Sequence, residues 1–151
     1  MCGIAGFWQN YSQHSPEQLE KSVSLMADAL FMRGPDSSGT WCDSEIGLAL
    51  GHRRLSIIDL SPAGHQPMVS ANGRSVISYN GEIYNFKAIR AELHAAGVKL
   101  RGHSDTEVLL EAVEHWGIED TSNRLVGMFA FALWDRKEQI LYLVRDRLGI
   151  K

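Results

Sequence analysis

The 151-residue chain carries only two cysteines, Cys2 and Cys42. That is too few for a disulfide framework, and the expected compartment is the reducing cytoplasm. Long hydrophobic runs are missing too. The most apolar stretch, Leu125 to Trp134, falls well short of the roughly 20 apolar residues that a membrane helix needs. The N-terminal MCGIAGFWQNYSQ has no basic region followed by a long apolar one, so no secretory signal is expected. Positive charge is not in excess. The formal net charge of −3 offers no footprint for nucleic acid or for an anionic membrane. The six histidines show no HxxxH or HExxH spacing, and no GxxxxGKS, GxxxxGKT or GxGxxG loop occurs. Neither a metal site nor a nucleotide-phosphate loop is expected in these residues.

What is present is an ordinary globular composition, 44% hydrophobic and 22% charged. It suits one domain that buries roughly two-thirds of its unfolded surface. Cys2 to Trp8 is short, apolar and bounded by polar residues, and predicts a strand. Ser15-Pro16-Glu17-Gln18 has the form of a capped helix start. Leu19, Val23, Met26 and Leu30 follow at helical spacing until Gly34-Pro35-Asp36. Ile46–Leu50 and Leu55–Leu60 predict strands on either side of a polar knot, Gly51-His52-Arg53-Arg54. A Pro- and Gly-bearing loop spans Ser61 to Pro67, and Ser75–Tyr79 predicts a strand that enters Asn80-Gly81. Asn85 is placed to cap a helix ending before Gly97. Ser104-Asp105-Thr106-Glu107 predicts a second capping box, on a helix closed by Gly117. Met128–Trp134 and Gln139–Val144 predict the last strands. Consecutive strands argue against a βαβ repeat and for an α+β domain with antiparallel sheets. The closing RDRLGIK shows no polar tail, so the domain is expected to be cut short at its C-terminal end.

Cys2 directly follows Met1. Removal of that methionine would leave a nucleophile and a base in one residue. A free α-amine titrates at about pH 8 and a thiol at about 8.5, so the amine can take the thiol proton near neutrality. The alternative is a small buried hydrophobe at a strand start. Cys42 is expected to be an inert structural thiol. Asn80-Gly81-Glu82 reads as a tight turn, or as an amide donor and an open backbone N–H converging on one developing oxyanion. Arg54 and Asp105 can serve the two charges of a zwitterion, or be a surface arginine and a first-turn acid that the helix dipole favours.

MCGIAGF, RGPDSSG, GHRRLSIIDLSPAGHQPM, NGEIYN, SDTEVLL, GMFAFALWD and RDRLGIK stand in that order along the chain. Together they resemble the N-terminal class II glutamine amidotransferase domain of the asparagine synthetase family. The resemblance implies an N-terminal-nucleophile hydrolase fold, a four-layer αββα sandwich with two antiparallel sheets between helices. It implies that Cys2 attacks the side-chain amide of L-glutamine, with its α-amine as base. By the same resemblance Asn80 and Gly81 form the oxyanion hole and Arg54 takes the substrate carboxylate. Asp105 and Glu82 hold the amino end. Leu55, Ile57 and Ile58 line the pocket, and Arg33 and Gly34 support the nucleophile. Met32 stands where relatives often carry His. The domain itself implies no cofactor. ATP and Mg belong to a synthetase domain, normally in the same chain and absent from these residues, that amidates aspartate. A homodimer is the implied assembly. The alternatives are a non-catalytic truncated domain, or an ammonia acceptor belonging to polysaccharide or antibiotic synthesis.

Overall fold

The computed structural model describes residues 2–9, 15–56 and 64–151. In chain order the elements begin with β1 (Gly3–Trp8), α1 (Pro16–Asp28), a 3-10 turn (Phe31–Arg33), β2 (Ser37–Asp43) and β3 (Leu48–Arg54). They continue with β4 (Met68–Val69), β5 (Ser75–Ile83), α2 (Phe86–Ala95) and α3 (Asp105–Trp116). The last three are α4 (Ile118–Arg124), β6 (Gly127–Asp135) and β7 (Ile140–Arg145). Two antiparallel sheets result, ordered β1-β3-β2 and β4-β5-β6-β7.

Strand periodicity assigns the layers, because alternate side chains leave opposite faces. On β3, Leu48 and Leu50 meet Val76, Ala132 and Trp134 of the second sheet, forming a core between the sheets. The alternate β3 face lies under α1, whose Leu19, Val23 and Ala27 are buried. A Cβ on Gly51 would sit 3.0 Å from Val23 Cγ2, so this glycine lets the helix approach the strand closely. On the far side of the second sheet, Ile77, Tyr79, Ile83, Phe129 and Phe131 pack with Ile89, Leu93, Leu109 and Leu110 of α2 and α3. The layers are thus α1, sheet, sheet, then α2 and α3: the expected αββα sandwich.

The α1 capping box forms as predicted, with Gln18 N donating to Ser15 Oγ and Ser15 N to Gln18 Oε1. The helix itself stops earlier than the apolar spacing implies, at Asp28. Ser104 caps α3 by accepting from Glu107 N, but the return half of the box is missing. Glu107 Oε1 and Oε2 instead accept from the amides of Arg101 and Gly102, at 2.6 and 2.7 Å, and so fasten the preceding loop. Asn85 occupies the N-cap position of α2, yet its side chain bridges Val126 N and Arg124 O.

Three other expectations are corrected. His52-Arg53-Arg54 is no knot between strands: β3 runs straight through it, held on both edges by β1 and β2. Leu55 and Ser56 are not strand, and the remainder of the strand expected to Leu60 lies outside the described residues. Asn80-Gly81 is no turn, because β5 continues through it to Ile83 in full register with β6. β4 and α4 were not anticipated. Among the described residues, no helix is long and apolar enough to cross a membrane.

Candidate active site

β1 runs antiparallel to β3, with Gly3 opposite Arg53. This places Cys2 beside the residue that leaves β3, Leu55. The half-buried Cys2 thiol accepts from Leu55 N at 3.3 Å and lies 3.6 Å from Leu55 O. Arg33 Nε donates to the Cys2 carbonyl at 3.1 Å. The RGPD segment explains this contact. The backbone of Gly34 presses on that of Arg53 so closely that any Cβ would collide with the Arg53 carbonyl. Arg53 Nε donates to Gly34 O at 3.1 Å, and Asp36 Oδ2 accepts from Ser56 N at 2.8 Å. Arg33 therefore holds the backbone of Cys2, and Gly34 the end of β3 beside it. Met32 is 90% exposed and takes no part in this bracing.

The second sheet supplies the opposite wall. Ser78 on β5 faces His52 on β3, its Oγ 3.2 Å from Nδ1. Asn80, two residues on, shares Ser78's face of β5, as Arg54 shares that of His52 on β3. Backbone parity carries further information. Tyr79 N donates to Gln66 Oε1 at 2.6 Å and Ile83 N to Asp105 Oδ2 at 3.1 Å, both on the edge of β5 away from β6. Gly81 lies between them, so its N–H points to that same edge. Gly81 is a glycine because β6 passes close by. A Cβ there would meet Met128 O and sit 2.7 Å from Phe129 Cα.

These walls enclose a pocket of about 100 Å³. Arg54 lines it from the end of β3, Cys2 and Leu55 from just beyond the ends of β1 and β3, and Asn80, Gly81 and Glu82 from β5. Asp105 lines it from the start of α3. Seven residues singled out in sequence, drawn from four separate stretches of chain, thus meet at one cavity. Ile57 and Ile58 lie outside the described residues, as does Met1. Tyr79, Gln66, Gly64, Thr106 and Met128 also line the pocket. Sequence reasoning did not single them out. Tyr79 and Gln66 adjoin or lie within the quoted motifs, which was the available signal. Gly64 is pressed against the Arg54 guanidinium, with no room for a side chain between.

Burial sets the electrostatics. Asp105 is 5% exposed, and desolvation pushes its carboxyl up. Hydrogen bonds from the Tyr79 hydroxyl, 2.7 Å from Oδ2, and from Ile83 N oppose that rise by favouring the ionised form. Tyr79 is pushed up, by burial first and by Asp105 second, so it stays a donor at neutral pH. His52 is pushed down to about 4 by burial, then by Arg54 and His65. No group of three or more His, Cys, Asp or Glu suited to a metal ion occurs among the described residues.

A domain-family model described as a glutamine amidotransferase domain matches residues 1–151. The chain belongs to that family. It is 40% identical, over its whole length, to asparagine synthetase [glutamine-hydrolyzing] 3 of Bacillus subtilis. Amidase chry2 of Gibberella zeae is 41% identical, again over the whole chain. The chain spans about a quarter of these relatives, 24% and 23% of their lengths. Among solved structures it is similar to glutamine phosphoribosylpyrophosphate amidotransferase from B. subtilis, complexed with ADP and GMP. That likeness has a TM-score of 0.59 at 23% identity, over 70% of this chain and 24% of that one. The shared feature is the fold, the αββα sandwich.

Proposed function

We propose that this chain is the glutaminase part of a glutamine-hydrolysing, asparagine-synthetase-like enzyme. The observation that carries the proposal is the single pocket that gathers Cys2, Arg54, Asn80, Gly81 and Asp105. Removal of Met1 frees the Cys2 α-amine, which takes the thiol proton. Sγ then bonds to the side-chain carbonyl carbon of glutamine. The Asn80 amide and the Gly81 N–H stabilise the oxyanion, and such donors lower a barrier by about 3 kcal/mol each. The C–N bond breaks, and the α-ammonium returns its proton to the departing ammonia. Water then hydrolyses the thioester, releasing glutamate and restoring the thiol. Arg54 holds the substrate carboxylate in a fork, while Asp105 and Glu82 receive its ammonium. Leu55 completes the pocket wall.

In a protein built like the synthetase relatives, the ammonia passes to an ATP- and Mg-dependent domain. There it amidates aspartate or a related carboxylate. The cytoplasm suits this chemistry, because a reducing compartment keeps Cys2 a thiol. The test is covalent capture. Protein beginning at Cys2 is incubated with a glutamine analogue bearing an electrophile at the amide position, and intact and peptide masses are read. A single adduct on Cys2, absent from Cys2→Ala and blocked by excess glutamine, is the expected result. A folded, correctly processed sample that forms no adduct refutes the proposal.

A further inference from the structure

Asp105 is more than a surface acid at a helix start. Its Oδ2 accepts two hydrogen bonds, from the Tyr79 hydroxyl at 2.7 Å and from Ile83 N at 3.1 Å. Both donors belong to β5, the strand that carries Asn80 and Gly81. Two donors on one oxygen fix both the rotamer and the plane of a carboxylate. Tyr79 is itself held, because its amide donates to Gln66 Oε1 at 2.6 Å and Gln66 Nε2 donates to Thr106 Oγ1 at 3.3 Å. Thr106 neighbours Asp105, so the chain of bonds closes on the same turn of α3. Tyr79 is 3% exposed, Asp105 5%, and both line the pocket. Their bond therefore lies where water competes least.

We infer that Tyr79 is a positioning residue for substrate selection: its hydroxyl locks the Asp105 carboxylate in place to receive the α-ammonium of an amino-acid substrate. The inference rests on the proposed glutaminase site and deepens it. A locked, ionised carboxylate discriminates by charge, accepting ligands with an α-ammonium over those without. Burial acts against this by favouring the neutral acid, and the Tyr79 hydroxyl counters it. The same strand thus carries the selection of the substrate's amino end and, two residues on, the Gly81 N–H.

The experiment measures binding of two ligands by calorimetry in a Cys2→Ser background, where turnover does not interfere. One ligand is L-glutamine, and the other is its analogue lacking the α-amino group. Tyr79→Phe removes only the hydroxyl. It is expected to weaken glutamine about tenfold, as loss of a hydrogen bond to a charged group does, while leaving the analogue within about twofold. Equal weakening of both ligands would assign Tyr79 a merely structural role and overturn the inference, as would no change in either. A Tyr79 background that binds neither ligand, or binds both alike, refutes the placement of the substrate ammonium at Asp105 and the inference with it. Should Tyr79→Phe fold poorly by circular dichroism, Tyr79→Met fills the space without a hydroxyl and is read in the same way.

Discussion

His52 lies in the core between the sheets, 1% exposed. Its Nδ1 is 3.2 Å from Ser78 Oγ, and its Nε2 has no hydrogen-bond partner among the described residues. Ser78 Oγ in turn donates to Gly51 O at 3.3 Å. Protonation would put an unpaired charge into the interior, which is why its pKa falls from 6.5 to about 4. The folded pKa lies below the unfolded one, so the unfolded chain binds the proton first as acid is added. The stability contribution is full above pH 6.5. It is lost as pH falls toward 4, and below that no more is lost. This depression corresponds to about 3 kcal/mol, of which about 2 kcal/mol disappears between roughly pH 7 and pH 4.5. Asp135 and Asp146, held below the usual carboxylate range, add their own losses at lower pH. Urea denaturation followed by tryptophan fluorescence at both pH values measures the loss. His52→Gln has an amide in place of the titrating ring, so its loss over this window should be smaller by about 2 kcal/mol. A variant that loses as much stability as the parent would refute the assignment, whatever its absolute stability.

Two further outcomes follow from the geometry. Asn80→Ala should lower kcat for glutamine hydrolysis about 100-fold with little change in KM, because an oxyanion donor acts in the transition state; steady-state assays of ammonia release read this directly. Ser104→Ala removes the α3 cap and should cost about 1 kcal/mol, seen as a lower thermal midpoint, with Glu107 still bonded to Arg101 and Gly102.

Much of the site was legible because its residues stand in contiguous motifs. Cys2, Arg54, Asn80, Gly81 and Asp105 could each be named from sequence, and all of them line the pocket. Tyr79 was not, because a tyrosine in an apolar strand reads as core, and on its ring it is core. Its hydroxyl meets Asp105, and that depends on where α3 is laid against β5.

The sequence by itself determined the starts of α1, α2 and α3. A capping side chain and a 3.6-residue apolar period act within a few residues, and Ser15 with Gln18 needs no distant partner. It also carried the family, since the motifs are local strings. Tertiary structure decided whatever local preference left balanced. Asn-Gly favours a turn by itself, yet nine residues of pairing with β6 outweigh it and pull Asn80 and Gly81 into β5. His52-Arg53-Arg54 looks like a polar loop, yet strands on both edges satisfy its backbone and hold it in β3. Glu107 could have closed its own capping box, but two loop amides within 2.7 Å claim its carboxylate instead. In the two strands, contacts distant in sequence supply more free energy than one turn can, whereas Glu107 is claimed by amides only five and six residues away.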